Sequence, residues 1–300
     1  MHHPMQEPEY LGEFLPQILS RPILPFRGAY TVTMREDQGT EDVLRALSSS
    51  LTGADRDLPR LHLGWGSFRN LDIVAARQSS FAIICDLNLR QIDIWSRFKA
   101  IIAVAQTTEQ FVELFANTAP TQPKLRRHNE SIAAWLGNEL VRPHSWLGST
   151  EAYMHVRKIV LENRFELLCC DLRDQLRHEN KSLFQRLSDA LLRMRQLRFC
   201  EPDTLYLSNI PWMMMNDRGF FGEPHSASEA ANGFGLMIKN LTEIAPSFHH
   251  VVSAHRQTNA SSPTNRQWQT NLYKPKVLLE QLYEDHREHA SCDQTYRPGR

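Results

Sequence analysis

The sequence has no surplus of charge of either sign and no long apolar run, and these two absences exclude whole classes of function. Lys and Arg together number 34 and so do Asp and Glu, for a formal net charge of zero. A dedicated binder of nucleic acid or of an anionic membrane carries a basic stripe, which is missing here, so the expected partner is a small-molecule or protein substrate. No stretch approaches the ~20 consecutive apolar residues of a membrane span. The opening MHHPMQEPEY has neither the basic nor the apolar region of a secretory signal. Cysteine is scarce and odd in number, and Cys85, Cys169 and Cys170 sit inside apolar runs, a usage that fits a reducing compartment and predicts a cytoplasmic protein. Cys169 and Cys170 form no C-x-x-C pair and, as neighbours on a strand, point to opposite faces, so they read as core. The absence of a G-x-S-x-G elbow and of a G-x-x-x-x-G-K-[ST] loop removes the simplest hydrolase and P-loop readings. Nothing repeats at a fixed period.

What is present is alternation. Residues 1–26 carry Pro4, Pro8, Pro16, Pro22 and Pro25 and read as an arm leading into a domain over 27–256. Thr40 followed by Glu41 and Asp42 predicts a capped helix start. From Leu61, LHLGWGSFRN passes into LDIVAARQ and then FAIIC, which predicts strand, glycine turn, helix and strand. Residues 89–117 have apolar positions three and four apart and form one long helix or two short ones; further helical segments follow around Ile132–Leu140 and Ser149–Asn163. RFELLCCD, the helical KSLFQRLSDALLRMRQ, DTLYLSN, the helical GLMIKNLTEI and FHHVVSAHR resume the alternation. Apolar strands alternating with helices imply an α/β fold, a mainly parallel Rossmann-like sheet with helices on both faces. The segment 257–300, polar at first and helical through VLLEQLYEDH, reads either as a tail or as a dimer contact.

Ligands of open parallel sheets bind beyond the carboxyl ends of the strands, which makes the residues closing each apolar run the candidates. These are Gly64 and Gly66, Asp86 and Asn88, Asp171, and Ser208 with Asn209. Glycines at a strand-to-helix turn admit a ligand to the backbone and leave helix N-terminal N–H groups free; an acid closing the second strand accepts from ribose hydroxyls. Gly64 and Asp86 are 22 residues apart, near the roughly 20 such a pairing needs. The alternative is that the glycines form only a turn and that Asp86 caps a helix. Asp171 either contacts an adenine amino group or caps a helix, and Asn209 ahead of Pro211 either orients substrate or starts a turn. In IPWMMMNDRGFF, Trp212 and Met213 lead a cluster of adaptable apolar side chains that forms a substrate pocket or packs on the core.

The blocks LGWGSFRN (63–70), CDLN (85–88), the helix with Trp95, Phe98 and Phe111, WLGSTEAY (146–153) and LYLSN (205–209) resemble a family of uncharacterised bacterial proteins. That family is assigned a fold like that of class I S-adenosylmethionine-dependent methyltransferases. The resemblance covers residues 27–256 and implies that Gly64, Gly66 and Asn70 form the glycine-rich turn and that Asp86 and Asn88 are the acidic motif after the second strand. It also implies that Asp171 is the adenine-side acid and that Ser208 with Asn209 is the Ser-Asn strand end, with S-adenosylmethionine as cofactor. The sequence departs from ordinary methyltransferases at Leu61-His62-Leu63, where an acid usually precedes the first glycine, and at Ser67-Phe68, where the third glycine is absent.

Two functions follow as expectations. One is methyl transfer, with Asn209 orienting the acceptor, His255 as a general base and Trp212 and Met213 against the substrate. The other is a non-catalytic ligand- or partner-binding protein, such as one delivered into a host, that retains the fold. No metal site is expected: His286 and His289 lie three apart on a helix near Glu284 and Asp285, but no second cluster completes a ligand set, and His249 and His250 fare no better.

Overall fold

The structure is a computed structural model, and it describes residues 39–51, 59–118, 123–173, 175, 177–178, 180–208, 210–215, 227–257 and 267–295. The chain forms α1 (Thr40–Ser49), β1 (Arg60–Trp65), α2 (Arg69–Arg77), β2 (Phe81–Asp86), α3 (Leu89–Val104), α4 (Thr108–Asn117), α5 (Pro123–Glu139) and α6 (Thr150–Leu161). There follow β3 (Phe165–Cys169), the two-residue strands β4 (Arg177–His178) and β5 (Lys181–Ser182), α7 (Leu183–Gln196), β6 (Glu201–Ser208), α8 (Ile210–Met215), α9 (Ala227–Ile244), β7 (His250–Gln257), β8 (Gln267–Tyr273) and α10 (Pro275–Thr295). Among the described residues no helix is long and apolar enough to cross a membrane.

Every position of β1 is buried, as a central strand covered on both faces requires. The six-stranded sheet runs in the order β3-β2-β1-β6-β7-β8, parallel throughout except for β8, which is antiparallel to β7. Alternate side chains feed two separate cores. Leu61, Leu63, Trp65, Phe81, Ile83 and Cys85 pack with α7, α9 and α10. Ala82 and Ile84 face the other way, into a core built on α2, α3 and α6. At about 1.5–3 kcal/mol for each fully buried large apolar side chain, these two faces hold the sheet. α1 completes the second face by laying Val43, Leu44 and Leu47 on Ile73, Tyr206 and Val252.

The α/β alternation read from the sequence is present, with three differences and one open alternative decided. Thr40 is not the cap of α1: Gly39 takes that position at φ 80°, and the Thr40 hydroxyl hydrogen-bonds Thr270 at 3.1 Å instead. Of the two readings of residues 89–117, the two-helix one holds, because Thr107 turns extended and its hydroxyl accepts from Gln110 N–H to start α4. Lys181 and Ser182 belong to a short hairpin, and Ser182 with Gln185 makes a reciprocal capping box for α7. The sheet also does not end at residue 256. β8 extends it through seven registered pairs from Val251↔Tyr273 to Gln257↔Gln267, and α10 packs on the same core, so the boundary placed before Gln257 cuts through one structural unit.

At the amino ends of the strands, Arg77 and Asp203 form a buried bidentate pair with both N···O distances 2.7 Å, and Arg77 also donates to the Leu47 carbonyl and the Ser50 hydroxyl. One guanidinium thereby ties α1, α2 and β6 together. Asp203→Asn strands a buried cation and is expected to cost about 3–5 kcal/mol by urea unfolding. Asp189→Asn, which breaks the exposed Lys181–Asp189 pair, is expected to change stability by under about 1 kcal/mol.

Candidate functional site

The carboxyl ends of the parallel strands bring four of the candidate positions into one row. The Cys170 N–H, just past β3, donates to the Asp86 carbonyl at 3.0 Å, and the Gly66 N–H donates to the Cys85 carbonyl at 3.2 Å. A Cβ on Gly66 would stand 3.6 Å from Ser208 Cβ, and the Ser253 hydroxyl of β7 donates to the Ser208 carbonyl at 3.2 Å. The row therefore reads Asp171, Asp86, Gly66, Ser208 and the end of β7. The sheet reverses its strand order between β1 and β6, so the crevice where such sheets receive ligands lies at Gly66 and Ser208. Both residues have positive φ, 88° and 52°; the first needs glycine, and the second holds a serine in a sparsely populated conformation.

Gly64 and Asn70 have work inside the protein rather than against a ligand. A Cβ on Gly64 would lie 1.8 Å from Asn70 Oδ1, so the glycine exists to let Asn70 in. Asn70 Oδ1 accepts from His62 Nε2 at 2.9 Å, while its amide donates to the Ser67 carbonyl at 2.7 Å and, more weakly, to the Trp65 carbonyl at 3.4 Å. Because that oxygen only accepts, His62 carries its proton on Nε2 and takes the Thr204 hydroxyl on Nδ1, at 2.8 Å. All three side chains lie in the sheet–helix interface, and Asn70 and His62 are fully buried. The start of α2 is closed as well. Phe68 is buried edge-to-face on Trp95 with ring centroids 4.8 Å apart, and Trp95 Nε1 donates to the Gly66 carbonyl at 3.0 Å. The open part of the turn is Gly66 itself.

Asp86 is the acid with the plainest ligand-facing character. Its carboxylate accepts from the backbone N–H groups of Asn88, at 2.7 Å, and Leu87, and no cation answers it among the described residues. Burial, only partly offset by those backbone donors, raises its pKa to about 6. Asn88 is buried, and its carbonyl accepts from Gln91 and Ile92 at the start of α3. Asp171, by contrast, is gripped by Arg173, whose Nη2 lies 2.9 Å from Oδ2 and whose backbone N–H donates to Oδ1 at 2.8 Å. An adenine amino group would have to compete with that fork.

His255 does not suit the role of general base. Asn271 Nδ2 donates to its Nδ1 at 2.9 Å, so a neutral ring carries its proton on Nε2 and offers a donor there rather than a lone pair. Asn209 lies outside the described residues. Trp212 and Met213 fall on α8, with their side chains outside the described part. His286 donates to the Ala231 carbonyl and stacks on Phe234, which docks α10 on α9. Sequence reasoning missed His62 and Trp95, and with them the buried chain Asp72–Arg69–Glu139–Arg142, with contacts of 2.9, 3.2 and 2.7 Å. The i, i+3 spacing of Arg69 and Asp72 was the one available signal.

Burial holds both His62 and His250 down at about 4, while Asp86 is raised to about 6. The imidazoles contribute stability that is present above their unfolded value near 6.5 and lost as pH falls through 4; Asp86 acts in the opposite sense over the same window. Two histidines outweigh one carboxyl, so unfolding free energy is expected to fall between pH 6.5 and 4. His62→Gln should show a shallower fall in the same urea titrations. Gly64→Ala is expected to cost about 2–4 kcal/mol, and in an Asn70→Ala background markedly less, a coupling that a double-mutant cycle on thermal unfolding measures directly.

The family described as a domain of unknown function (DUF7790) matches residues 54–131, a stretch that runs from before β1 through the glycine turn, Asp86 and Trp95 into α5. No curated protein matches the chain.

Proposed function

We propose that the chain binds S-adenosylmethionine in the crevice at the ends of β2, β1 and β6 and is a methyltransferase of Rossmann-like, class I architecture. The observation that carries this reading is Asp86: a carboxylate on the second strand, beside a positive-φ glycine at the strand reversal, with only backbone donors on it among the described residues. A vicinal diol supplies the two hydroxyl donors that such an acid lacks, as at the ribose acid of nucleotide-binding sheets. Gly66 lets the backbone approach the ligand, and Ser208 closes the crevice on the far side. When bound, S-adenosylmethionine would bring a methyl group on a cationic sulfur. The chain's own part is to hold the acceptor in line and exclude water, which needs alignment more than a fixed acid–base pair.

The Arg173 fork on Asp171 and the aromatic closure over the start of α2 favour a second reading, a binding module that keeps the crevice without turnover. Calorimetric titration of the full chain with S-adenosylmethionine and S-adenosylhomocysteine separates the possibilities. Binding in the micromolar range, weakened at least tenfold by Asp86→Ala, is the expected result. Methyl transfer in an acceptor screen then distinguishes enzyme from module. No heat from a folded protein would overturn the methyltransferase reading and leave the module, with another ligand or a partner.

A further inference from the structure

Arg69 carries two buried donors that the fold does not use. Its side chain is 5% exposed, and Nη1 alone serves the ion pairs, to Asp72 at 2.9 Å and to Glu139 at 3.2 Å. Nε and Nη2, on the other edge of the guanidinium, are buried and meet no acceptor among the described residues. That edge is the fork with which an arginine takes two acceptor contacts side by side. One face of the group is closed by the Trp135 ring, whose centroid lies 5.4 Å from Cζ. A charged donor left buried and unanswered costs its desolvation without compensation.

Arg69 and Asp72 line a small concavity between α1, α2 and the sheet. Its other polar walls are Thr40, Tyr206 and Thr270, and the rest is aliphatic. It spans about 250 Å³ including the open mouth, of which only about 10 Å³ is enclosed. A water needs roughly 10–15 Å³ and at least two polar partners, so the enclosed part suits one water and no organic molecule. The partners are present. Thr40 and Thr270 share one hydrogen bond of 3.1 Å, and whichever hydroxyl donates, Thr40 Oγ1 keeps a lone pair. Asp72 Oδ2 accepts from Arg69 Nη1 and has capacity for a second donor. Charge argues against an anion, because Asp72, Glu139 and Glu41 outnumber Arg69 and Arg142 in the connected ion pairs.

We infer that this concavity is a binding site for one structural water, which accepts from Arg69 Nε and Nη2 and donates to Thr40 Oγ1 and to the Asp72 carboxylate. Two accepted and two donated bonds use the full capacity of a water molecule. The bridge ties Arg69, the first residue of α2, to Thr40, the first residue of α1, and the Thr40–Thr270 bond carries the link on to β8. The inference does not depend on what the crevice binds.

Two measurements on the full chain test it. A high-resolution crystal structure is expected to show one water within hydrogen-bond distance of Arg69 Nε, Arg69 Nη2 and Thr40 Oγ1. Absence of density there, a protein oxygen against the fork, or an anomalous peak at the fork after bromide exchange would each overturn the proposal. In solution, oxygen-17 relaxation dispersion counts waters held longer than the protein tumbles. Arg69→Lys keeps the positive charge beside Asp72 and Glu139 but has no fork, and is expected to lose one such water relative to wild type. Thr40→Val keeps the fork and removes one acceptor, and is expected to shorten that water's residence about tenfold, the worth of one hydrogen bond. Should Arg69→Lys fail to fold, the valine variant and the crystal structure carry the test. An unchanged dispersion in both variants would contradict the assignment, whatever the crevice is found to bind.

Discussion

The hydrogen bond from His62 to Asn70 is the contact on which the rest of the upper edge depends. It forms only because Gly64, between them in sequence, has no side chain, and it places the Asn70 amide against the Ser67 carbonyl, with a weaker contact to the Trp65 carbonyl. With Asn70 anchored, α2 begins directly after the turn and Phe68 enters the aromatic core. Gly66 is left as the one residue of the turn that must adopt positive φ and face outward. In ordinary nucleotide-binding turns the glycines make room for a ligand. Here one makes room for a neighbouring side chain and the other, at positive φ, is the part of the turn left open.

Charge distribution tells the same story from the other direction. The buried acids that serve the fold have arginine partners: Asp203 has Arg77, Asp72 has Arg69, and Glu139 has both Arg69 and Arg142. Removing such charges from water is costly, and the protein compensates by pairing them. Asp86 is the exception, an acid at a strand end that among the described residues receives only backbone N–H groups and whose pKa is raised by burial to about 6. A carboxylate with no counter-ion among the described residues, one strand away from the reversal of strand order, destabilises the free protein, which is a character shared with many binding groups.

Much of this architecture was legible in the sequence because period and burial speak directly. β2 is apolar on both faces and β1 on the face of Leu61, Leu63 and Trp65, and LHLGWGSFRN followed by LDIVAARQ carries the turn between them. The order of strand ends then placed Asp86 beside Gly66 without knowledge of the fold. What stayed hidden depends on contacts distant in sequence. Nothing local says that Gly64 serves Asn70, that Trp95 reaches back to the Gly66 carbonyl, or that Asn271 sets the proton of His255. β8 was missed because QWQTNLY alternates weakly and lies in a polar stretch; its strand character comes from pairing with β7. Thr40 failed as a cap because a tertiary partner, Thr270, claimed its hydroxyl.

The most direct test of the crevice is amide hydrogen exchange of the full chain with and without saturating S-adenosylhomocysteine, resolved along the sequence. The account predicts slowed exchange at residues 65–67 and 86–88, where Gly66 and Asp86 meet the ligand, with the amino-end lock at Arg77 and Asp203 unchanged. Protection spread evenly over the sheet, or absent from those two segments, would contradict it.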